Sequence, residues 1–77
     1  MIKVLLFAKL QEEAGVHEIE LEGSGRTVQS VKEQLVQEYR LPSLETSMAA
    51  INEEFVKEED IVSPGDTVAF IPPISGG

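Results

Sequence analysis

Residues 2–8 are apolar at every position except Lys3, and the even-numbered positions are Ile2, Val4, Leu6 and Ala8. In a β-strand these positions fall on one face, while Lys3, Leu5 and Phe7 fall on the other. Apolar side chains on both faces are typical of a strand that is paired on both sides and covered on both faces. We therefore place this strand in the centre of a sheet.

A second strand is predicted at residues 17–22, which alternate with period two. Ile19 and Leu21 point inward and the intervening glutamates point to solvent, so this strand is half-solvated and forms a hairpin with the first. Between the two strands, residues 9–15 predict a short helical turn or loop that Gly15 closes.

The main helix is predicted to begin after Thr27, whose side chain is suited to the N-cap position. Apolar residues then recur near helical spacing, at Val28, Val31, Leu35 and Tyr39. The helix is expected to end at Leu41-Pro42, because the residue before a proline is disfavoured in the α region.

Three further strand segments follow, at residues 47–51, 55–57 and 67–71. Residues 63–66, Ser-Pro-Gly-Asp, have proline and glycine at the central positions of a type II turn. The order of elements predicts an α+β fold of the β-grasp (ubiquitin-like) type, a mixed sheet with one main helix packed on one face. The first and last strands are expected to lie parallel at its centre, joined by a crossover that includes the helix.

The charge balance bears on the class of partner. The chain has 14 acidic and 6 basic residues, a net charge of -8, and no cysteine. The negative electrostatic field of such a chain repels phosphate backbones and anionic lipid surfaces, so nucleic-acid and membrane partners are not expected. The sequence offers no disulfide framework and no run near the roughly 20 apolar residues that span a bilayer. We predict a cytoplasmic location.

Side chains suited to catalysis are scarce. His17, the single histidine, lies among outward glutamates, where solvent exposure is expected. The acidic residues between 53 and 60 do not have the spacing of a calcium loop, and there is no glycine-rich phosphate loop. We predict no metal site, and a free-standing enzyme is the least favoured class.

The C-terminal segment is different. We assign residues 1–71 to the β-grasp domain and residues 72–77 to an extended tail that ends in Gly76-Gly77. Pro72-Pro73 favours an extended conformation, in which six residues reach roughly 20 Å. Two glycines make the narrowest peptide tip, so an enzyme channel could approach the carboxylate of Gly77 closely. Adenylation would make that carboxylate reactive toward sulfur, giving a thiocarboxylate; a frayed terminus remains the alternative for a bare Gly-Gly.

The chain resembles the small subunit family of molybdopterin synthase. Residues 1–8, the block 65–73 and the Gly-Gly ending carry the resemblance, which spans essentially the whole sequence. It implies a non-catalytic subunit that carries sulfur. An ATP-dependent activating enzyme would adenylate Gly77, and delivery of sulfur would give the thiocarboxylate. Gly76 would keep the tail narrow enough for the tip to enter an active site. The tail then enters the large subunit, where the sulfur is transferred to cyclic pyranopterin monophosphate in a heterotetramer centred on two large subunits. No cofactor is bound; ATP is used by the activating enzyme.

The resemblance also implies a face that binds the partner. Leu5, Phe7 and Ile71 point away from the predicted helix, and Phe55 is expected to join them. The tail residues implied in binding are Pro72, Pro73, Ile74 and Ser75. A one-residue slip in the assignment of faces would instead put these apolar residues in the core.

Two alternatives remain open. A thiamine-pathway or other ubiquitin-like sulfur carrier also has this fold and a Gly-Gly ending, although the thiamine-pathway carrier usually lacks the diproline. A β-grasp adaptor that binds proteins and is never thiolated belongs to another class. Mass analysis of the C-terminus would distinguish the adaptor from a carrier.

Overall fold

The computed structural model describes residues 1–22, 25–41 and 44–72. The strands and helices are β1 (Ile2–Leu6), α1 (Lys9–Ala14), β2 (Glu18–Leu21), α2 (Val28–Tyr39), β3 (Met48–Ile51), β4 (Glu54–Val56) and β5 (Thr67–Ile71). This is the predicted α+β order. In sequence, two strands precede the main helix and three strands follow it.

Within these residues the strands form a five-stranded sheet in the order β2-β1-β5-β3-β4. β1 and β5 are parallel, with Val4 opposite Val68 and Leu6 opposite Phe70. β2 is antiparallel to β1, and β3 is antiparallel to both β5 and β4. The central parallel pair and the β-grasp topology predicted from the sequence are therefore confirmed.

The hydrophobic core lies between α2 and one face of the sheet. On the sheet side it contains Ile2, Val4, Leu6, Val68 and Phe70, and on the helix side Val28, Val31 and Leu35, all with 1% exposure or less. In β1 and β5 the buried residues are every second one, as the alternation of strand side chains requires. Tyr39, the fourth predicted helix position, is only partly buried against this core.

Side chain and backbone caps set the ends of α2. The Thr27 hydroxyl accepts a hydrogen bond from the backbone N–H of Ser30 at 3.1 Å, which satisfies one of the free donors of the first turn. At the other end Arg40 adopts a left-handed conformation, with φ of 52°, and its N–H donates to the Val36 carbonyl. The helix therefore stops at Tyr39, and Pro42, which was expected to end it, lies outside the described residues.

Several predicted strand ends are wrong by one or two residues. β1 stops at Leu6, because Ala8 has a φ of 51° and the Leu10 N–H donates to the Phe7 carbonyl, which turns the chain into α1. Ala8, predicted to face inward, is exposed. β4 ends at Val56, since the Lys57 N–H donates to the Asp60 side chain instead of to a neighbouring strand.

Lys32 is a buried charged side chain that the sequence pattern does not predict. It lies on α2 and is 5% exposed. Its Nζ donates to Oε1 of Glu58 at 3.0 Å and to the carbonyls of Glu45 and Ser47, each at 3.4 Å. The ammonium group therefore ties the helix to the segment before β3 and to the segment after β4.

None of the helices in the described part of the chain has the length and apolar character needed to cross a bilayer.

Gly65 provides a test of the turn that precedes β5. It has a φ of 83°, and the Asp66 N–H donates to the Ser63 carbonyl at 3.1 Å, as in the predicted type II turn. Apart from Gly65 and its two neighbours in the chain, no described residue has an atom within 4 Å of the position that a Cβ would take. We expect Gly65→Ala to lower the free energy of unfolding by about 1–2 kcal/mol through backbone strain alone.

Urea unfolding would measure this loss, with Ser63→Ala as a control at an exposed position of the same turn. An unchanged midpoint for Gly65→Ala would contradict the assigned conformation.

Candidate functional site

The sheet face opposite α2 is not covered by any helix of the described ranges. A row of side chains crosses four strands on this face, because Leu5 pairs with Ala69, Ala69 with Ala50, and Ala50 with Phe55. We call the surface formed by these four residues together with Phe7 and Ile71 the open face. The two alanines in the middle of the row lie lower than the large side chains at its ends, so the open face is concave.

This concavity is a groove of about 570 Å³. Its lining residues are Leu5, Phe7, Ala50, Asn52, Glu53, Phe55, Thr67, Ala69 and Ile71. The four residues before the tail that the sequence analysis proposed for partner binding, namely Leu5, Phe7, Phe55 and Ile71, therefore all line this groove. Their position is established, and their role in binding remains a prediction.

Large apolar side chains on the open face are exposed to solvent. Phe55 is 67% exposed and Phe7 45% exposed, whereas Phe70 on the opposite face is completely buried. Met48, which pairs with Ile71, is also exposed and extends the apolar surface. Contiguous apolar surface of this kind marks a site of interaction on a protein.

Sequence reasoning missed Met48, Ala50 and Ala69 as members of this surface. The signal for Ala69 was present, because it lies between the inward residues Val68 and Phe70 and therefore faces outward. In β3 the signal was weak, since Ala49 and Ala50 are both buried and do not alternate in polarity.

The root of the tail lies at one end of the groove. Because β1 and β5 are parallel, Phe7 follows β1 at the same edge of the sheet at which Ile71 ends β5. Pro72 comes next and is partly buried. Pro73, Ile74, Ser75, Gly76 and Gly77 lie outside the described residues, so the structure does not place these predicted site residues. The division into a domain over residues 1–71 and a tail over 72–77 likewise remains a prediction.

The hairpin turn between β3 and β4 lies at the other end of the groove. Asn52 and Glu53 have φ values of 50° and 73°. A left-handed conformation costs a residue with a Cβ roughly 1–2 kcal/mol. The Asn52 amide fixes the turn, because its Oδ1 accepts from the Thr67 N–H at 3.1 Å and its Nδ2 donates to Asp66 Oδ1 at 3.0 Å.

Acidic side chains lie on two sides of the apolar groove. Glu18 on β2 pairs with Leu5 in register, and Lys3 lies 4.0 Å from its carboxylate in an exposed ion pair. Glu53 lines the opposite side and is exposed. In the described ranges no three acidic or histidine side chains are grouped to hold a metal ion, and His17 is exposed.

Comparison with known proteins adds a family. A model described as the ThiS family matches residues 4–77. A molybdopterin synthase sulfur carrier subunit from Arabidopsis thaliana is 44% identical over 81 residues, covering 99% of this chain and 82% of the relative. The subunit of the same name from Haemophilus influenzae is 37% identical, with 100% of both chains covered.

Solved structures share the fold. The solution structure of small archaeal modifier protein 1 from Methanosarcina acetivorans matches with a TM-score of 0.82 and 26% identity, covering 99% of this chain and 95% of that one. A chain from the complex of subunits 1 and 2 of molybdopterin-converting factor from Helicobacter pylori matches with a TM-score of 0.72. At 18% identity over 99% of this chain and 97% of that one, the second match shows the fold alone.

Two phenylalanines on opposite faces of the sheet test the assignment of the open face. We expect Phe55→Ala to change the free energy of unfolding by no more than about 0.5 kcal/mol, as at ordinary surface sites. Phe70→Ala should cost about 3–5 kcal/mol, because it empties a fully buried position. Chemical denaturation of both variants is the measurement. Equal losses would mean that both aromatic rings belong to the core.

Proposed function

Because this chain belongs to the ThiS family and, within it, to the molybdopterin synthase sulfur carrier subunits, we propose that the Gly77 carboxylate is the group that carries sulfur. An activating enzyme brings the carboxylate to ATP, forming the acyl adenylate of Gly77 and releasing pyrophosphate. A hydrosulfide equivalent then attacks the acyl carbon, a C–S bond forms, and AMP leaves. The product is a thiocarboxylate at the end of the tail.

The partner in the second half of the cycle is the large subunit of the synthase. The thiocarboxylate sulfur attacks a carbon of cyclic pyranopterin monophosphate in the active site of the large subunit, where a C–S bond forms and a C–O bond of that carbon breaks with loss of its oxygen substituent. Water then cleaves the acyl–sulfur bond, which leaves the sulfur on the pterin and restores the carboxylate of Gly77. Two such transfers supply the two sulfurs of a dithiolene. This chain provides the acyl group and its positioning, and ATP is bound by the activating enzyme. We place the cycle in the cytoplasm, without a cofactor bound to this chain.

The observation that carries the proposal is the continuity of the open face with the root of the tail. Phe7 and Ile71 lie at the edge of the sheet from which Pro72 leaves. A partner that covers the groove therefore holds the start of the tail in a fixed direction. The reactive atom belongs to the main chain, so the mechanism requires no cluster of catalytic side chains.

A related carrier of the thiamine pathway would use the same chemistry with another acceptor. The relatives from Arabidopsis thaliana and Haemophilus influenzae bear the name of the molybdopterin synthase subunit, which favours the pterin as acceptor. Transfer of sulfur to the pterin by the reconstituted synthase, compared with transfer to a thiazole-forming enzyme, separates the two.

Removal of Gly76 and Gly77 tests the reacting group. We expect the truncated chain to keep its thermal transition, because the core residues in the described part of the chain all precede the tail, and to lose sulfur transfer completely. The full chain, incubated with the activating enzyme, ATP and sulfide, should gain the mass that corresponds to exchange of one oxygen for sulfur. Intact-mass measurement and a synthase assay give both results. Sulfur transfer by the truncated chain would contradict the mechanism.

Charge on the open face tests the docking surface. Phe7→Glu or Ile71→Glu should weaken binding to the large subunit by about 2 kcal/mol or more, as truncation of central interface anchors does. The matched control is Ile61→Glu, because Ile61 is also exposed and does not line the groove. Calorimetric titration measures binding and circular dichroism verifies the fold. Equal affinity for the Ile71 and Ile61 variants would exclude the groove as the docking site.

A further inference from the structure

We propose that Glu53 is a specificity-determining residue for the large subunit, its carboxylate pairing with a basic side chain of the partner at the end of the groove away from the tail. The inference rests on the proposed function, because it assumes that the large subunit covers the open face. It adds an electrostatic contact to the two contacts already proposed, which are the apolar groove and the tail.

The backbone at Glu53 is in a left-handed conformation. Ile51 pairs with Glu54, so β3 and β4 are joined by a two-residue turn. Both central residues have positive φ, as a type I′ turn requires. Such turns prefer asparagine followed by glycine, since glycine has no Cβ to oppose the left-handed conformation. Asn52 fits this preference, and Glu53 occupies the position at which glycine would be free of strain.

No interaction of the Glu53 side chain with the described residues compensates for this strain. The Asn52 side chain is hydrogen-bonded to the backbone of Thr67 and the side chain of Asp66. The exposed Glu53 side chain makes neither a hydrogen bond nor an ion pair with any other described residue. The strand pairing and the Asn52 hydrogen bonds hold the backbone in this conformation, but they require no side chain at position 53, where glycine would be free of strain. Strained residues are concentrated at functional sites. The observed strain therefore points to a role for the carboxylate outside the folded chain.

The position of Glu53 identifies what the carboxylate would recognise. Among the residues that line the groove, Glu53 is the one with a formal charge. A basic side chain of a bound partner would meet it beside Phe55, where apolar contact excludes water and strengthens the interaction. The net charge of -8 makes a partner with a basic surface the favoured one in long-range encounter as well.

Glu53 is too far from the tail to act on the reacting group, so its contact would serve to position the partner on the sheet. Glu53 lies beside Thr67 in the groove, at the start of β5, and the tail leaves from Ile71 at its end. Four residue steps along a strand span roughly 13 Å. One contact at each end of the groove fixes the rotation of the partner on the sheet, which an apolar surface alone does not do. Glu53 is thus a positioning residue and takes no part in sulfur transfer itself.

The test compares Glu53→Gly, Glu53→Gln and Glu59→Gln with the parent chain in binding to the purified large subunit. Both Glu53 variants should weaken binding about tenfold at low ionic strength and less at high ionic strength, because each substitution removes an attraction between opposite charges. Glu59 is exposed and lies outside the groove, so Glu59→Gln should bind as the parent does. Glu53→Gly should in addition raise the midpoint of urea unfolding, because it removes the strain.

The outcomes separate this inference from the proposed function. If the parent chain binds, Phe7→Glu weakens binding and both Glu53 variants bind like the parent, the role of Glu53 is wrong and the docking surface stands. If Glu53→Gly lowers the unfolding midpoint, the side chain supports the fold and the argument from strain is overturned. If the parent chain does not bind the large subunit, the proposed function itself fails.

Discussion

The parallel pairing of β1 with β5 is the constraint on which the rest of the structure depends. It brings together the first and last strands of the chain in the centre of the sheet, with antiparallel neighbours on each outer side. Parallel strands cannot be joined by a tight turn, so the chain between them forms a long crossover that contains α2. The helix packs on one face, and the core residues Val4, Leu6, Val68 and Phe70 are buried beneath it.

The same pairing produces the open face. Residues opposite one another in parallel strands point to the same side, so Leu5 and Ala69 face away from the helix together. One long helix covers one face of the sheet, and α1, with six residues, does not bury the other. The apolar side chains on the two faces of β1 thus differ in their surroundings: those on one face pack against the core, and those on the other line the groove.

The strands and the open face could be predicted because alternation with period two leaves only two ways for a strand to face, which places Leu5 and Ile71 on the outer side. The burial of Lys32 could not be predicted from the sequence, because the carbonyl groups that accept its hydrogen bonds come near the helix only when the chain has folded. The polar run at residues 52–54 predicts a turn, but glutamate is disfavoured in a left-handed hairpin position, so the strain at Glu53 becomes visible only with the backbone. A departure from local preference is expected mainly where function requires it.

Two features of the open face oppose the stability or solubility of the isolated chain: the exposed aromatic surface of Phe7 and Phe55, and the left-handed backbone of Glu53. Both lie on the side of the sheet away from the packed core, so neither disturbs the contacts between α2 and the strands. A bound partner would cover the aromatic surface and give the carboxylate a charged neighbour, which removes one cost and offsets the other. The arrangement is therefore more favourable in a complex than in the free chain, which agrees with the proposed role of the open face in docking.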